Sequence, residues 1–195
     1  IFFDIAAAFP SLCQTFLRMV LKRRMLPRGL LNSVNAQYFF ASAGAFRGSK
    51  LEVMFFLTSG VLQGCPMSGW LFALVMDTIL EALHKSLGIT DTGFNIDMAC
   101  IRACADDIGA ALKEGRDMRK LHGTFAEVAY VSKLRTKPSK CQVVVLGADA
   151  EKRTFDTKRW LADCVPEWDG DGGRPLRQIP GALHGAGGRH EGMES

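Results

Sequence analysis

The chain has six cysteines but no C-x-x-C pair and no paired histidines near them, so neither a zinc cluster nor a disulfide framework is indicated. Cys13, Cys65, Cys100, Cys104, Cys141 and Cys164 read as reduced thiols of an intracellular protein. Long apolar runs are missing as well. The most apolar stretch, around residues 70–76, is far short of the roughly 20 residues a membrane span needs, so no membrane partner is expected. Charge of one sign is scarce: a formal net charge of +4 and a pI near 8.8 permit a polyanionic partner without demanding one. No initiator methionine opens the sequence, its first residues read as a strand and not as a signal peptide, and the expectation is a fragment of a longer protein. With 195 residues, 48% apolar and 23% charged, there is material for one ordinary globular core and not comfortably for two.

What is present centres on Ile101-Arg102-Ala103-Cys104-Ala105-Asp106-Asp107-Ile108-Gly109-Ala110-Ala111-Leu112. Small and β-branched residues flank an adjacent carboxylate pair, the pattern of two short strands joined by a tight acidic turn. Two neighbouring anions repel. They are tolerable in a turn that faces water, and useful when a divalent cation sits on them. A second carboxylate stands in an unfavourable place: Asp4 interrupts the apolar strand of residues 1–5, where a charge is costly unless a cation or a metal pairs it.

Between these points the periodicity is mixed. Pro10 and Ser11 mark a turn into a helix with Leu12, Phe16, Met19 and Val20 as its stripe, ending at Lys22-Arg23-Arg24, where cations suit the helix dipole. Pro27 opens a second helix through Leu30, Leu31, Val34 and Tyr38, and residues 44–57 read as two strands turned at Gly48-Ser49-Lys50. Residues 59–69 hold three glycines, a proline and two serines, a shaped loop ahead of a helix that runs from Trp70 to about Leu87 and is capped by Gly88. After the acidic hairpin, residues 114–133 form an amphipathic helix on Met118, Leu121, Phe125, Val128 and Ala129, a stripe that reads as core. A basic turn, residues 135–140, leads into a strand over 141–147, and after a short charged stretch Trp160-Leu161-Ala162 closes one last helix. The element order implies an α+β domain, with helices packed on one face of a largely antiparallel sheet.

Asp4 and the Asp106-Asp107 pair could supply the carboxylates that hold two metal ions roughly 3.5–4 Å apart for phosphoryl transfer. Four stretches in order resemble motifs A, B, C and D of reverse transcriptases, most closely those of non-LTR (LINE-type) retrotransposons. They are Phe2-Phe3-Asp4-Ile5-Ala6-Ala7-Ala8-Phe9-Pro10-Ser11-Leu12, Gly60-Val61-Leu62-Gln63-Gly64-Cys65-Pro66-Met67-Ser68, Cys104-Ala105-Asp106-Asp107 and Lys137-Pro138-Ser139-Lys140-Cys141. Any one of them is weak. The resemblance implies a polymerase palm of right-hand architecture over residues 1–150, a start of the connection toward primer grip and thumb over 151–168, and fingers and thumb largely missing.

It also implies roles. Asp4 and Asp106 are the expected main metal ligands, Asp107 a supporting one, and the Ile5 carbonyl completes the set for two Mg2+ ions, with Mn2+ as a substitute. Phe9, five residues after Asp4, stands with Ala8 where this family carries an aromatic that excludes a ribose 2′-hydroxyl; RNA-dependent RNA polymerases place a carboxylate there, so Phe9 points to DNA synthesis. Gln63 and Gly64 would lie beside the incoming nucleotide, and Lys140 would protonate or neutralise the leaving pyrophosphate. Plainer readings stand beside these: Phe9 as core, the glycines as turn formers, Lys140 as a surface lysine, Arg23 and Arg24 as a solvated helix end or as phosphate contacts. Cys104 departs from the aromatic usual before the motif C alanine, and Ala6-Ala7-Ala8 lacks the polar residue common in motif A.

The implied partners are an RNA template, a DNA primer and deoxynucleoside triphosphates, in an intact element that also carried fingers, thumb and in some cases an endonuclease domain. The implied location is nuclear and cytoplasmic. Without fingers and thumb, little or no polymerase activity is expected. A non-catalytic retroelement relic or nucleic-acid-binding module is the alternative of another class, and a group II intron or telomerase-type enzyme shares the same motifs. Residues 169–195 change composition and are expected to be disordered. Arg177-Gln178-Ile179-Pro180-Gly181 can be back-translated so that the next frame spells Ala-Lys-Tyr-Leu-Gly, the primer-grip segment of related proteins, which suggests a frameshift between Trp168 and Arg177.

Overall fold

The acidic hairpin forms where small and β-branched residues alternate. In the computed structural model, which describes residues 1–38, 41–89, 99–145, 150–164 and 177–178, β4 (Cys100–Cys104) pairs antiparallel with β5 (Asp107–Ala111). Cys104 lies opposite Asp107, which leaves Ala105 and Asp106 as a two-residue turn. β1 (Phe2–Phe3) adds antiparallel to the far edge of β5, so the strand order is β1-β5-β4. Period-two alternation sends Phe3, Ile101, Ile108 and Ala110 to one face, where they are buried, and Phe2, Arg102 and Ala111 to the other, where they are exposed.

Two long helices cover the buried face. α4 (Ser68–Ser86) buries Leu71, Phe72, Val75, Met76, Ile79 and Leu83, and α5 (Gly115–Ser132) buries Leu121, Phe125 and Val128, stripes at helical spacing. The Phe125 ring meets that of Phe3 at 4.8 Å between centroids. Burying one such ring stabilises by about 1.5–3 kcal/mol. Left-handed residues end both helices: Gly88 (φ 70) follows α4, and Lys133 (φ 64) caps α5. The observed architecture is α+β.

Between β1 and α4 the chain runs through α1 (Ala8–Ser11), α2 (Gln14–Arg23), α3 (Arg28–Tyr38), β2 (Ser42–Arg47) and β3 (Lys50–Phe56). The expected stripe of the first helix is corrected. Leu12 sits in extended backbone between α1 and α2, so a stripe counted through it has the wrong phase; α2 buries Leu17, Val20 and Leu21, and Met19 is 62% exposed. Arg24, offered as a phosphate contact, instead reaches Asp77 at 2.6 Å and Glu81 at 2.8 Å on α4. β2 and β3 form a separate two-stranded ribbon turned at Gly48 and Ser49, with Gly48 at φ 66.

Past α5, the strand expected over 141–147 is divided. Residues 135–142 run beside β1, interrupted by the 3-10 turn Pro138–Lys140, and among the described residues of that stretch Val144–Val145 forms a strand, β6, while 146 and 147 lie outside them. β6 pairs in parallel with β7 (Arg177–Gln178), while the other described strand pairs are antiparallel, in keeping with a largely antiparallel plan. α6 (Ala150–Cys164) is the last helix, the one that Trp160-Leu161-Ala162 is expected to close; Leu161 packs with Met118 of α5 in a small satellite core. Trp160 also borders a cavity of about 980 Å³ on the sheet's other face, where Phe2, Gly109 and Ala111 line it. Apart from Arg177–Gln178, the tail of residues 169–195 lies outside the described residues, and so does its expected disorder.

Candidate active site

Asp4 sits one residue beyond β1. The β1/β5 register sets Phe2 opposite Gly109 and Phe3 opposite Ile108, so one further step brings Asp4 level with Asp107, beside the turn residue Asp106. On the other side of β1, the Ala6 N–H donates to Arg135 O and the Lys137 N–H to Asp4 O, both at 2.8 Å, and Phe2 and Gln142 exchange two backbone bonds. Ile5 is buried and bridges to Thr136. Asp4 is therefore carried on a backbone held from both sides, which is why the sheet tolerates it at its end.

The side chains at this end are unequal. Asp106 is half-buried and Asp107 exposed. Lys140 brings its ammonium 3.8 Å from Asp4 Oδ1, with side chains 60% and 25% exposed. Such a screened pair contributes at most about 1 kcal/mol, and it answers the unpaired charge that the sequence poses at Asp4. Among the described residues, no group of three or more His, Cys, Asp or Glu stands ready to hold a metal ion. The ligands expected from the sequence, Asp4, Asp106, Asp107 and the Ile5 carbonyl, are oxygen donors of the kind Mg2+ prefers. Backbone strain clusters here: Ala105 in the hairpin turn has φ 54, and Ala7, three residues after Asp4, has φ 46. Alanines in this region cost about 1–2 kcal/mol each.

A second group assembles around Phe9. Ala8 is buried, and Phe9, half-buried, stacks on Phe72 of α4 with centroids 4.7 Å apart and planes 15° from parallel. The loop of residues 59–64 is laced to the same segment: the Gly60 N–H donates to Leu12 O at 2.7 Å and the Val61 N–H to Phe9 O at 2.9 Å. Gly60 has φ 81, and a Cβ there would lie 2.8 Å from both Cα and O of Pro10, so only glycine fits. Gln63 and Gly64 are exposed at the tip. Next to them, the Met67 N–H pulls the Cys65 thiol below its ordinary pKa. Two contacts of the site, one to Phe9 and one to Asp4, were missed in the sequence. Phe72 looks like one more residue of the α4 core stripe, and the Lys137 amide carries no side-chain signal.

The class is thus an α+β domain that presents carboxylates from neighbouring strands at one sheet end, with an aromatic ring laced to a glycine loop close by in sequence. The model of the family described as reverse transcriptase (RNA-dependent DNA polymerase) matches residues 1–167, and the chain belongs to that family. The activity that goes with the family is RNA-directed DNA synthesis. No helix among the described residues is long and apolar enough to cross a membrane.

Proposed function

We propose that this chain is the palm of a non-LTR retrotransposon reverse transcriptase, which extends the 3′-hydroxyl of a DNA primer by deoxynucleotides on an RNA template. The observation that carries the reading is the β1/β5 register, which in a member of this family brings Asp4 level with the Asp106-Asp107 turn. Residues 2–12, 60–68, 104–107 and 137–141 take the parts of motifs A, B, C and D. Asp4, Asp106, Asp107 and the Ile5 carbonyl would hold Mg2+, which when bound supplies positive charge to the phosphates and to the primer hydroxyl.

The remaining steps belong to side chains and backbone. Phe9, backed by Phe72, fills the space a ribose 2′-hydroxyl would need, and Ala8 keeps that wall thin. The Gln63-Gly64 turn offers backbone to the nucleotide and its template base. Lys140, already within 3.8 Å of Asp4, carries a proton or a positive charge to the leaving pyrophosphate. Positioning supplies much of such a rate. In the right-hand architecture that the resemblance implies, positioning is shared with fingers and thumb, so a palm assayed by itself is expected to extend a primer hardly at all.

Calorimetry of the purified chain with dTTP and Mg2+ tests the reading. Metal-dependent binding is expected, abolished by Asp106→Asn, with binding of an RNA–DNA hybrid kept. Hybrid binding without any metal-dependent nucleotide binding would leave a nucleic-acid-binding module instead. Processive extension by the chain alone would contradict the expected inactivity.

A further inference from the structure

The tip that carries Gln63 and Gly64 is a β-turn. The Cys65 N–H closes it on Leu62 O at 3.2 Å, and Gly64, third in the turn, has the φ of 86 that a type II turn requires. No atom of the described residues lies within 4 Å of a Cβ built on Gly64, so that side of the tip is open among them. On the exposed side the Cys65 thiol donates to Gln37 Oε1 at 3.4 Å, and a second set of contacts reaches the turn from beneath. Ser68, at the start of α4, lies with its Oγ 2.5 Å from the same Leu62 O and 2.8 Å from the hydroxyl of Tyr38 at the end of α3.

The direction of these bonds follows from proton counting. A carbonyl only accepts and a serine hydroxyl has one proton, so Ser68 donates to Leu62 O, and the Tyr38 hydroxyl must donate to Ser68. Both residues are buried, Tyr38 at 0% and Ser68 at 4% exposure. Burial pushes the Tyr38 phenol up from its ordinary pKa, which keeps its proton in place. Leu62 O is already satisfied by the Cys65 amide, so the two hydroxyls do not rescue an orphaned carbonyl. They add a second hold on an oxygen that already has one, and in a buried chain each bond strengthens the next.

We infer that Tyr38 and Ser68 are positioning residues that fix the orientation of the Gln63-Gly64 turn through Leu62 and thereby set the affinity for the incoming deoxynucleotide. The inference rests on the reading of Gln63 and Gly64 as nucleotide-facing. It differs from a packing role in what it moves: a core defect loosens α3, α4 and α5 together, whereas this relay loosens the turn.

The test compares the purified chain with Tyr38→Phe, Ser68→Ala and Ser68→Thr, by amide hydrogen exchange and by dTTP binding in Mg2+. Exchange at the Cys65 amide is expected to rise about tenfold in Tyr38→Phe and further in Ser68→Ala, with the Leu121 and Phe125 amides of α5 unchanged. The dTTP dissociation constant rises severalfold in step, and Ser68→Thr, which keeps the hydroxyl, restores both. Native exchange at Cys65 in Ser68→Ala overturns the relay, as does faster exchange spread over α5. Faster exchange at the turn with an unchanged dTTP constant overturns its link to the nucleotide. If the unaltered chain binds no dTTP, the functional reading fails and takes the nucleotide link with it, while the exchange data still decide whether the relay holds the turn.

Discussion

Phe3 and Phe55 are the same side chain in strands of opposite circumstance. Phe3, in β1, is 2% exposed and meets Phe125; Phe55, in the β2–β3 ribbon, is 54% exposed. The difference lies in what covers each strand. β1 has β5 on one side, residues 135–142 on the other, and two helices over its face, whereas among the described residues the ribbon has only its own two strands. Both are apolar and both are antiparallel, so strand formation and burial are separate matters here. The carboxylates stand at the end of the covered sheet, where backbone held from both sides can keep them in register.

The sharpest way to break this contrast is Phe3→Ala. It empties a ring-sized space beneath Asp4, and stability is expected to fall by about 3–5 kcal/mol, read from the denaturant midpoint. A loss below about 1 kcal/mol would mean that the buried sheet is no better packed than the ribbon.

Two glycines of the same backbone conformation give the next comparison. Gly60→Ala sets a methyl group 2.8 Å from Pro10 backbone, on top of a φ of 81, and is expected to cost about 2–4 kcal/mol and to free the Val61 amide from Phe9 O. Gly48→Ala, in the ribbon turn at φ 66, meets no atom within 4 Å and should cost only the conformational strain, about 1 kcal/mol. Denaturant titration with exchange at Val61 separates the two. Equal costs would show that the lacing of the loop to α1 adds nothing.

The parts of this layout that the sequence discloses are those set by local pattern. The acidic hairpin follows from small residues either side of Asp106 and Asp107, and α4 and α5 from stripes long enough to outvote single exceptions. The ribbon, too, is legible as a hairpin through Gly48, but its exposure is not, since alternation cannot say whether a face finds a cover. The phase of α2 was lost because the helix restarts after Leu12. The start of α6 is not marked in the sequence because residues 150–159 are mostly polar, and among the residues whose burial is described only Leu161 is buried from it. At the site, the carboxylates and Lys140 are readable as residue types, whereas Phe9 on Phe72 and Tyr38 on Ser68 are contacts between elements, with no trace in spacing.

The smallest effect is expected where apolar surface is largest. Phe46, Leu51, Val53, Met54, Phe55 and Phe56 of the ribbon are all more than half exposed, and no apolar ribbon residue belongs to the buried core. Removing a side chain that folding does not bury removes no transfer free energy. Leu51→Ser with Phe55→Ser should therefore change stability by no more than about 0.5 kcal/mol, one-tenth of the upper value expected for Phe3→Ala. The slight loss of strand propensity from two serines works in the same small range. Solubility is the property that should respond, because a two-sided apolar ribbon with open edges is a template for self-association, and two hydroxyls blunt it. Thermal unfolding and light scattering on the same samples check both halves. A drop in stability of more than about 1 kcal/mol would place a cover over the ribbon within this chain, and Phe55 would then belong with Phe3.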